Sequence, residues 1–503
     1  MLNLVKFKQR NCAAILKSSR CFFILAFACV LFLFFFRLGD RSFRNPDEGR
    51  YAEIAREMVI SNHWVEPKLY GIDYLSKPPL FYWLLAASFR IFGFNEWAAR
   101  AVPATFGFLG VLMTYFFTRR YFGKQAAIFA GLILATNFWY VQVSRYLVID
   151  AVFSFFLTAC LFSFYAFLRD DRREFLFLFY IFSALAFLCK GIAGVALPGV
   201  VVVAYFLILR RWKEPIPRSI SPGGMLLFLL IAFPWFFAIT LRKPWFPEYF
   251  LWHEHVSRYL SKSFEHQEGW YFYFVLAPLV FLPWTLCLPA LRKMRSERGF
   301  TRDRRLYFWV IFAGILLFYS VSRSKLATYL LPVLAPGAIL LGDAWASWTE
   351  SPPDKNISIV KNRLFYALTG VLFIASIGAP FVMERLNTNY TTKPFAKYLR
   401  PSLVHGEKVF IYGAPGALYD FSFYLNYPVK PVGLEGEFEQ AAREPQTKEA
   451  MITPEAWKKL LKNEKIFCLM RKSDYEGLDG TVKKDMQMLM QDERKILVAS
   501  IPS

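Results

Sequence analysis

The stretch Asn45-Pro46-Asp47-Glu48-Gly49-Arg50-Tyr51-Ala52-Glu53 directly follows the first apolar run and puts two adjacent carboxylates where hydrocarbon meets water. A carboxylate beside hydrocarbon is costly unless it is solvated, paired or in use. Arg44 and Arg50 flank the pair, and Lys77 follows with Pro78-Pro79. Carboxylates of this kind can take a proton or hold a sugar hydroxyl. Arg and Lys bind phosphate oxygens through charge-assisted hydrogen bonds. A solvated interfacial loop is the plainer reading of the pair taken alone. Residues of the same character elsewhere strengthen the reading of a site: Asp150, Lys190, His253, Glu254, His255, Arg258, His266, Arg323, Lys325 and Tyr329. Each also has a plain role. Lys190 can snorkel, Asp150 can cap the next helix, and His255 can sit at the interface with a backbone partner. Rings such as Tyr82, Trp83, Trp252, Trp270 and Tyr271 suit interfacial anchoring or stacking on a sugar.

The elements that must position these groups are membrane helices. Hydrophobic residues make up 56% of the 503, and phenylalanine alone numbers 55, more than a water-exposed surface tolerates. A span needs about 17–25 mostly apolar residues. On that rule, spans are expected near 20–38, 99–118, 125–144, 147–168, 174–190, 192–210, 224–242, 271–291, 305–321, 327–347 and 363–384, about eleven in all. The short apolar segment 79–93 reads as a helix along the membrane face. The net charge of +22 does not signal nucleic acid, because Lys and Arg cluster in short loops between apolar runs. One set of basic loops holds the N-terminal tail, Arg119-Arg120, Arg169 to Arg173, Arg210-Arg211, Arg292 to Arg305 and Lys361 to Arg363. Placed in the cytoplasm, it sends the candidate residues to the opposite, periplasmic face, with an uncleaved first span and a cytoplasmic N-terminus.

The expected organisation is a polytopic α-helical membrane domain over 1–384, including a periplasmic loop at 39–98, and a small soluble α/β periplasmic domain over 385–503. In the latter, Lys408 to Tyr412, Ile466 to Met470 and Ile496 to Ala499 read as buried strands, and Pro454 to Leu461 as a helix capped by Thr453. Gly413-Ala414-Pro415-Gly416-Ala417 follows a strand but lacks a phosphate-loop pattern. Seven cysteines with no Cys-x-x-Cys pair read as small core hydrophobes where they fall in apolar runs.

The residues Asp47 through Met58, Trp64-Val65-Glu66-Pro67 and Tyr74-Leu75-Ser76-Lys77-Pro78-Pro79-Leu80 resemble the first periplasmic loop of the bacterial 4-amino-4-deoxy-L-arabinose (lipid A) transferase family. That family lies within the GT-C glycosyltransferases, with the protein O-mannosyltransferases as relatives. The resemblance continues in Tyr146 to Asp150, Cys189-Lys190-Gly191, Glu254-His255-Val256-Ser257-Arg258-Tyr259 and Ser324-Lys325-Leu326-Ala327-Thr328-Tyr329, and covers roughly the first 350 residues. It implies a GT-C fold and transfer of a sugar from an undecaprenyl-phosphate carrier to a lipid, glycan or protein acceptor, by a single inverting displacement. By residue, it implies Asp47 as the principal catalytic carboxylate beside Glu48. Lys77, Arg258 and Lys325 become binders of the carrier phosphate, Asp150, Lys190 and Tyr329 donor-site residues, and His255 a ligand for a divalent metal such as zinc, magnesium or manganese. The family pattern often reads Phe-Glu-Lys-Pro where this chain has Leu75-Ser76-Lys77-Pro78. That Glu is the histidine's metal partner, so metal dependence is expected to be weak or absent here.

Two other functional classes compete. A transporter or flippase of lipid-linked saccharides would place its polar groups near the bilayer midplane, often in repeated halves. Here the charges fall at helix ends and no repeat is visible. A non-catalytic scaffold would have no need of Asp47, Lys77 and Lys325 together.

Overall fold

The computed structural model describes residues 23–210, 219–257, 267–288, 300–350, 355–403, 406–413, 415–433, 438 and 450–501. The first helix, α1, is described over Phe23–Phe35; residues 20–22 of the run expected for it lie outside the described residues. The chain then turns through Arg37 at positive φ into α2 (Asp47–Ser61) and a two-strand hairpin, β1 (Lys68–Leu69) and β2 (Ile72–Asp73). The hairpin turn puts Tyr70 at φ 59° and Gly71 at φ 75°, the left-handed pair that a tight hairpin requires. That conformation is unusual for tyrosine. Glu57 of α2 accepts both turn amides, at 2.6 Å from Tyr70 and 3.0 Å from Gly71.

The helices that follow are α3 (Leu80–Phe92), α4 (Glu96–Tyr121), α5 (Lys124–Ala135), α6 (Phe138–Ser144), α7 (Ile149–Asp170), α8 (Arg173–Lys190) and α9 (Ala193–Leu209). Beyond them lie α10 (Pro222–Arg242), α11 (Phe272–Val280), α12 (Phe300–Val321), α13 (Leu331–Glu350) and α14 (Lys355–Leu386). Among the described residues, six helices are long and apolar enough to cross a membrane, or seven if a bent pair counts as one span. In α10 and α14 most of the apolar window is exposed, as in a helix that faces lipid.

Two expected spans take another form. The run 125–144 is two helices, α5 and α6, bent by 59°. Asn137 is the cause: its side chain accepts from the Tyr140 amide at 2.8 Å and caps α6, and it donates to the Val280 carbonyl at 2.8 Å. A polar cap inside an apolar run satisfies the backbone groups that the break exposes. In the run 271–291 the first helix ends at Val280 and a 3-10 turn follows over Trp284–Cys287, while residues 289–291 lie outside the described residues. Pro278 and Pro283 remove two backbone donors there.

The C-terminal sheet has the order β4 (Val429–Val432), β3 (Lys408–Tyr412), β5 (Ile466–Arg471), β7 (Lys495–Ser500), β6 (Met486–Gln491). The first three strands run parallel to one another and the last two pair antiparallel. The three strands and the Thr453-capped helix read from the sequence are present. β4 was not expected because Pro431 interrupts it, which an edge strand tolerates. β6 was not expected because its side chains show no buried alternation: only Met486 is buried, and Gln487, Met488 and Gln491 are exposed.

This unit is tied to the membrane part through Asp420, which is fully buried. Asp420 accepts from Asn45 Nδ2 at 2.5 Å, Thr391 Oγ1 at 2.8 Å, and both the amide and hydroxyl of Thr392 at 2.9 and 2.8 Å. Tyr424 accepts from the Phe43 amide at 2.7 Å. The segment that precedes Asp47 is therefore held from both sides.

Candidate active site

The two neighbouring carboxylates at the start of α2 point into different surroundings. Glu48 is fully buried. Arg100 of α4 grips it with both arms, at 2.8 and 2.9 Å. Arg41 lies at 3.1 and 3.2 Å, and the amides of Arg44 and Leu147 donate at 2.9 and 3.0 Å. Burial pushes the Glu48 pKa up, but Arg100 and Arg41 outweigh it and hold the carboxyl at about 2. Arg100 also donates to the carbonyls of Leu38, Arg41 and Ser42. The expectation that Glu48 shares in catalysis is corrected here: every lone pair direction is occupied, and the group pins the loop to α4 and α7. Composition alone did not separate it from Asp47, because neighbouring helix residues differ only in the direction they face.

Asp47 keeps a side chain 42% exposed and accepts from Arg50, one turn along α2, at 2.6 Å. The Arg50 guanidinium also lies over the rings of Tyr51, Tyr74 and Tyr419, at 5.3, 5.6 and 6.0 Å. Burial raises the Tyr51 hydroxyl's pKa, and the charges of Arg50, Asp47 and Asp150 all act on it, which brings Asp150 into the same neighbourhood. Asp150 stands in the first turn of α7 and Lys190 in the last turn of α8. These helices are an antiparallel pair, so their two ends meet, and Lys190 Nζ is ion-paired with Asp150. The same ammonium sits 3.9 Å over the Tyr329 ring, a cation–π contact. Tyr329 in turn packs on Tyr319 at 4.9 Å. Asp150, Lys190 and Tyr329 are thus brought into one contact group.

Lys77 is near this group along the chain, three residues past Tyr74, and is ion-paired with Glu254 at 3.1 Å. Glu254 also accepts from the Tyr249 hydroxyl at 3.0 Å, and Ser76 Oγ is 3.4 Å from that hydroxyl. Glu254 belongs to a π-helical turn, Tyr249–Ser257. Lys325 departs from the expectation of a phosphate-facing ammonium. It is 4% exposed and donates to the carbonyls of Glu268, at 2.9 Å, and Ser322. With the Gln267–Ser324 bridge it closes the turn that leads to Tyr329. Burial and Arg323 lower its pKa. Arg258 and the side chain of His255 lie outside the described residues.

Glu254 carries the Lys77 ammonium, and the Tyr249 hydroxyl that donates to the same carboxylate lies beside Ser76 Oγ. Among the described residues, no three His, Cys, Asp or Glu side chains gather into a possible metal site.

Sequence reasoning passed over Arg145. It is 7% exposed, at the C-terminus of α6, and donates to the Phe36 carbonyl. The available signal was a lone charge between two apolar runs.

Comparison with known proteins gives a consistent picture. Residues 76–237 match the family described as dolichyl-phosphate-mannose-protein mannosyltransferase. The undecaprenyl phosphate-alpha-4-amino-4-deoxy-L-arabinose arabinosyl transferase of Aeromonas hydrophila is 36% identical over 321 residues, covering 62% of this chain and 58% of the relative. A protein of that name from Proteus mirabilis is 31% identical over 366 residues, covering 72% of this chain and 65% of the relative. The chain thus spans somewhat under two thirds of the length of these curated relatives. The crystal structure of ArnT from Cupriavidus metallidurans bound to undecaprenyl phosphate superimposes with a TM-score of 0.82 and 26% identity, covering 96% of this chain and 98% of that one.

Proposed function

We propose that this chain, an ArnT-like glycosyltransferase of the GT-C family by sequence and fold, moves a sugar from a polyprenyl-phosphate carrier to a lipid, glycan or protein acceptor at a bacterial inner membrane. Lipid A is the leading acceptor, after the family that the first periplasmic loop resembles. The observation that carries the reading is the line of groups from Asp47–Arg50 through Asp150–Lys190 to Tyr329: an exposed carboxylate beside cations at the ends of apolar helices.

The chemistry follows from those groups. An acceptor oxygen attacks the anomeric carbon as the bond from that carbon to the carrier phosphate breaks. The phosphate leaves with the electron pair. A phosphate is already a good leaving group, so charge stabilisation matters more than acid catalysis. Lys77 and Lys190, with Arg258, supply that charge, and Tyr329 holds Lys190 in place. An acceptor hydroxyl would give its proton to Asp47, whereas an acceptor phosphate would be positioned through Arg50. Lys325 acts on the site through the turn that carries Tyr329. The orientation that fits is a cytoplasmic N-terminus with residues 385–503 as a periplasmic domain. Alkaline phosphatase fused after residue 390 should then be active; an inactive fusion there overturns the orientation.

Purified full-length chain should release polyprenyl phosphate from a polyprenyl-phosphate sugar when lipid A is supplied. Turnover should stay within about twofold after chelator treatment, because the Lys77 ammonium sits where a cation would bind Glu254. No release with any polyprenyl-phosphate sugar would sink the transferase reading. Loss with chelator, restored by zinc or manganese and missing in His255→Ala, would overturn metal independence.

A further inference from the structure

Behind the proposed site lies a second polar space, a cavity of about 300 Å³ bounded by α4, α6, the loop before α2, and Pro380 and Met383 of α14. Five arginines line it: Arg37, Arg41, Arg44, Arg100 and Arg145. Three carboxylates offset them. Asp40 and Glu384 pair with Arg37, and Glu48 is shared by Arg41 and Arg100. Arg44 and Arg145 have no carboxylate partner among the described residues, so five guanidiniums against three carboxylates leave a surplus of two. Arg44 lies 4.2 Å over the Tyr390 ring.

The lining also carries unsatisfied donors. Arg145 Nη1, Gln142 Nε2, Trp139 Nε1 and Thr328 Oγ1 are all buried without a hydrogen-bond partner in the structure, and all four residues line this cavity. Arg145 is more than nine-tenths buried. Native interiors rarely leave such groups unpaired, and each one calls for an explanation. Four donors and a double positive surplus around one cavity call for the same thing: an anion of charge near −2 with several acceptor oxygens. A phosphate monoester is such a group, at about −1.5 to −2 near neutral pH with three terminal oxygens.

Three chain segments connect this cavity to the proposed active site. Arg44 lines the cavity and Asp47 follows it. Val148 lines it and Asp150 follows. Thr328 lines it and Tyr329 is next. On the far side the cavity meets α14, whose neighbouring Phe381 and Val382 are exposed as a lipid-facing surface would be.

We infer that this arginine cavity anchors a phosphate monoester group of the acceptor lipid, which enters beside α14. The inference rests on the transferase reading for the word acceptor; the anion site itself does not.

Direct binding tests it without any donor or turnover. The full-length chain, in phosphatidylcholine nanodiscs, is titrated with dioleoyl phosphatidic acid (a monoester), dioleoyl phosphatidylglycerol (a diester) and inorganic phosphate, and binding is read by native mass spectrometry. Phosphatidic acid should bind the parent at least tenfold more tightly than phosphatidylglycerol. Arg145→Gln should remove that preference, Gln142→Leu should weaken it severalfold, and Lys77→Ala should leave it intact. If Arg145→Gln does not fold, Gln142→Leu and Thr328→Val decide. Equal affinity for monoester and diester overturns the inference. So does a preference that survives Arg145→Gln or Gln142→Leu in folded protein, or one that Lys77→Ala abolishes. Inorganic phosphate binding as tightly as the lipid overturns the lipid assignment. A chain that passes this test but fails to transfer sugar keeps the anion site and loses the transferase reading.

Discussion

On the Asp47 side of α2, a partly exposed carboxylate, one arginine and a row of tyrosine rings lie together. On the Glu48 side, one residue away, a carboxylate is sealed among two arginines and two backbone amides. Both regions carry ion pairs, and both lie at the same membrane-edge loop. They differ in what remains unsatisfied. Around Glu48 each carboxylate oxygen meets its donors, so that carboxylate serves to hold the structure together. Around Asp47 one carboxylate face stays accessible, so that cluster can meet a substrate. Charged residues near a bilayer therefore divide by completeness of their partners, and not by residue type.

The largest expected effect comes from breaking the sealed side. Glu48→Ala leaves Arg100 buried without its partner, a change that costs about 3–5 kcal/mol. It should be seen as a large fall in melting temperature and in monodisperse yield. A pH series sharpens the same point. The folded pKa of about 2 lies below the ordinary carboxylate value of about 4.3. The carboxylate's contribution is therefore complete above that ordinary value and is lost as pH falls from there towards about 2. Melting temperature should drop over this window in the parent and much less in Glu48→Gln. A parental melting temperature for Glu48→Ala would break the comparison outright.

The open side should behave in the opposite way. Asp47→Asn should retain the parental melting temperature and lose about 10²-fold or more in transfer rate. Lys77→Ala should lose about ten- to thousandfold, because one charge-assisted contact to the leaving phosphate disappears. Parental rates in both variants, at equal expression, would show that accessibility of the cluster has nothing to do with turnover.

The smallest effect is expected at the α5–α6 break. Asn137→Ala removes a helix cap worth about 0.5–2 kcal/mol, together with the link to the Val280 carbonyl. Melting temperature should fall by a few degrees while the transfer rate changes little. A collapse in rate would mean that the bend, through Gln142 and Arg145 just beyond it, positions substrate as well as helix.

Much of the site was legible in the chain. Asp150, Lys190 and Tyr329 stand at the ends of apolar runs, and the ends of those runs meet. Lys325 was legible as a position but not as a contact: its ammonium turns to the carbonyls of Glu268 and Ser322, which only a folded turn presents. Glu254 was visible as one acid in a histidine-rich loop, and its pairing with Lys77, 177 residues earlier, was not.

Local composition specified the membrane class, strands at Lys408 to Tyr412, Ile466 to Met470 and Ile496 to Ala499, and polar groups at helix ends. These follow from local composition and period, which need no distant partner. Only the tertiary structure decided which of two adjacent carboxylates is sealed, that the run 125–144 breaks at Asn137, and that Arg145 shares a cavity with four other arginines. Each of those outcomes depends on a partner brought from far along the chain. Arg100 reaches Glu48 across 52 residues and the Val280 carbonyl meets Asn137 across 143. A charge's surroundings, and with them its cost or use, exist only once such segments have packed.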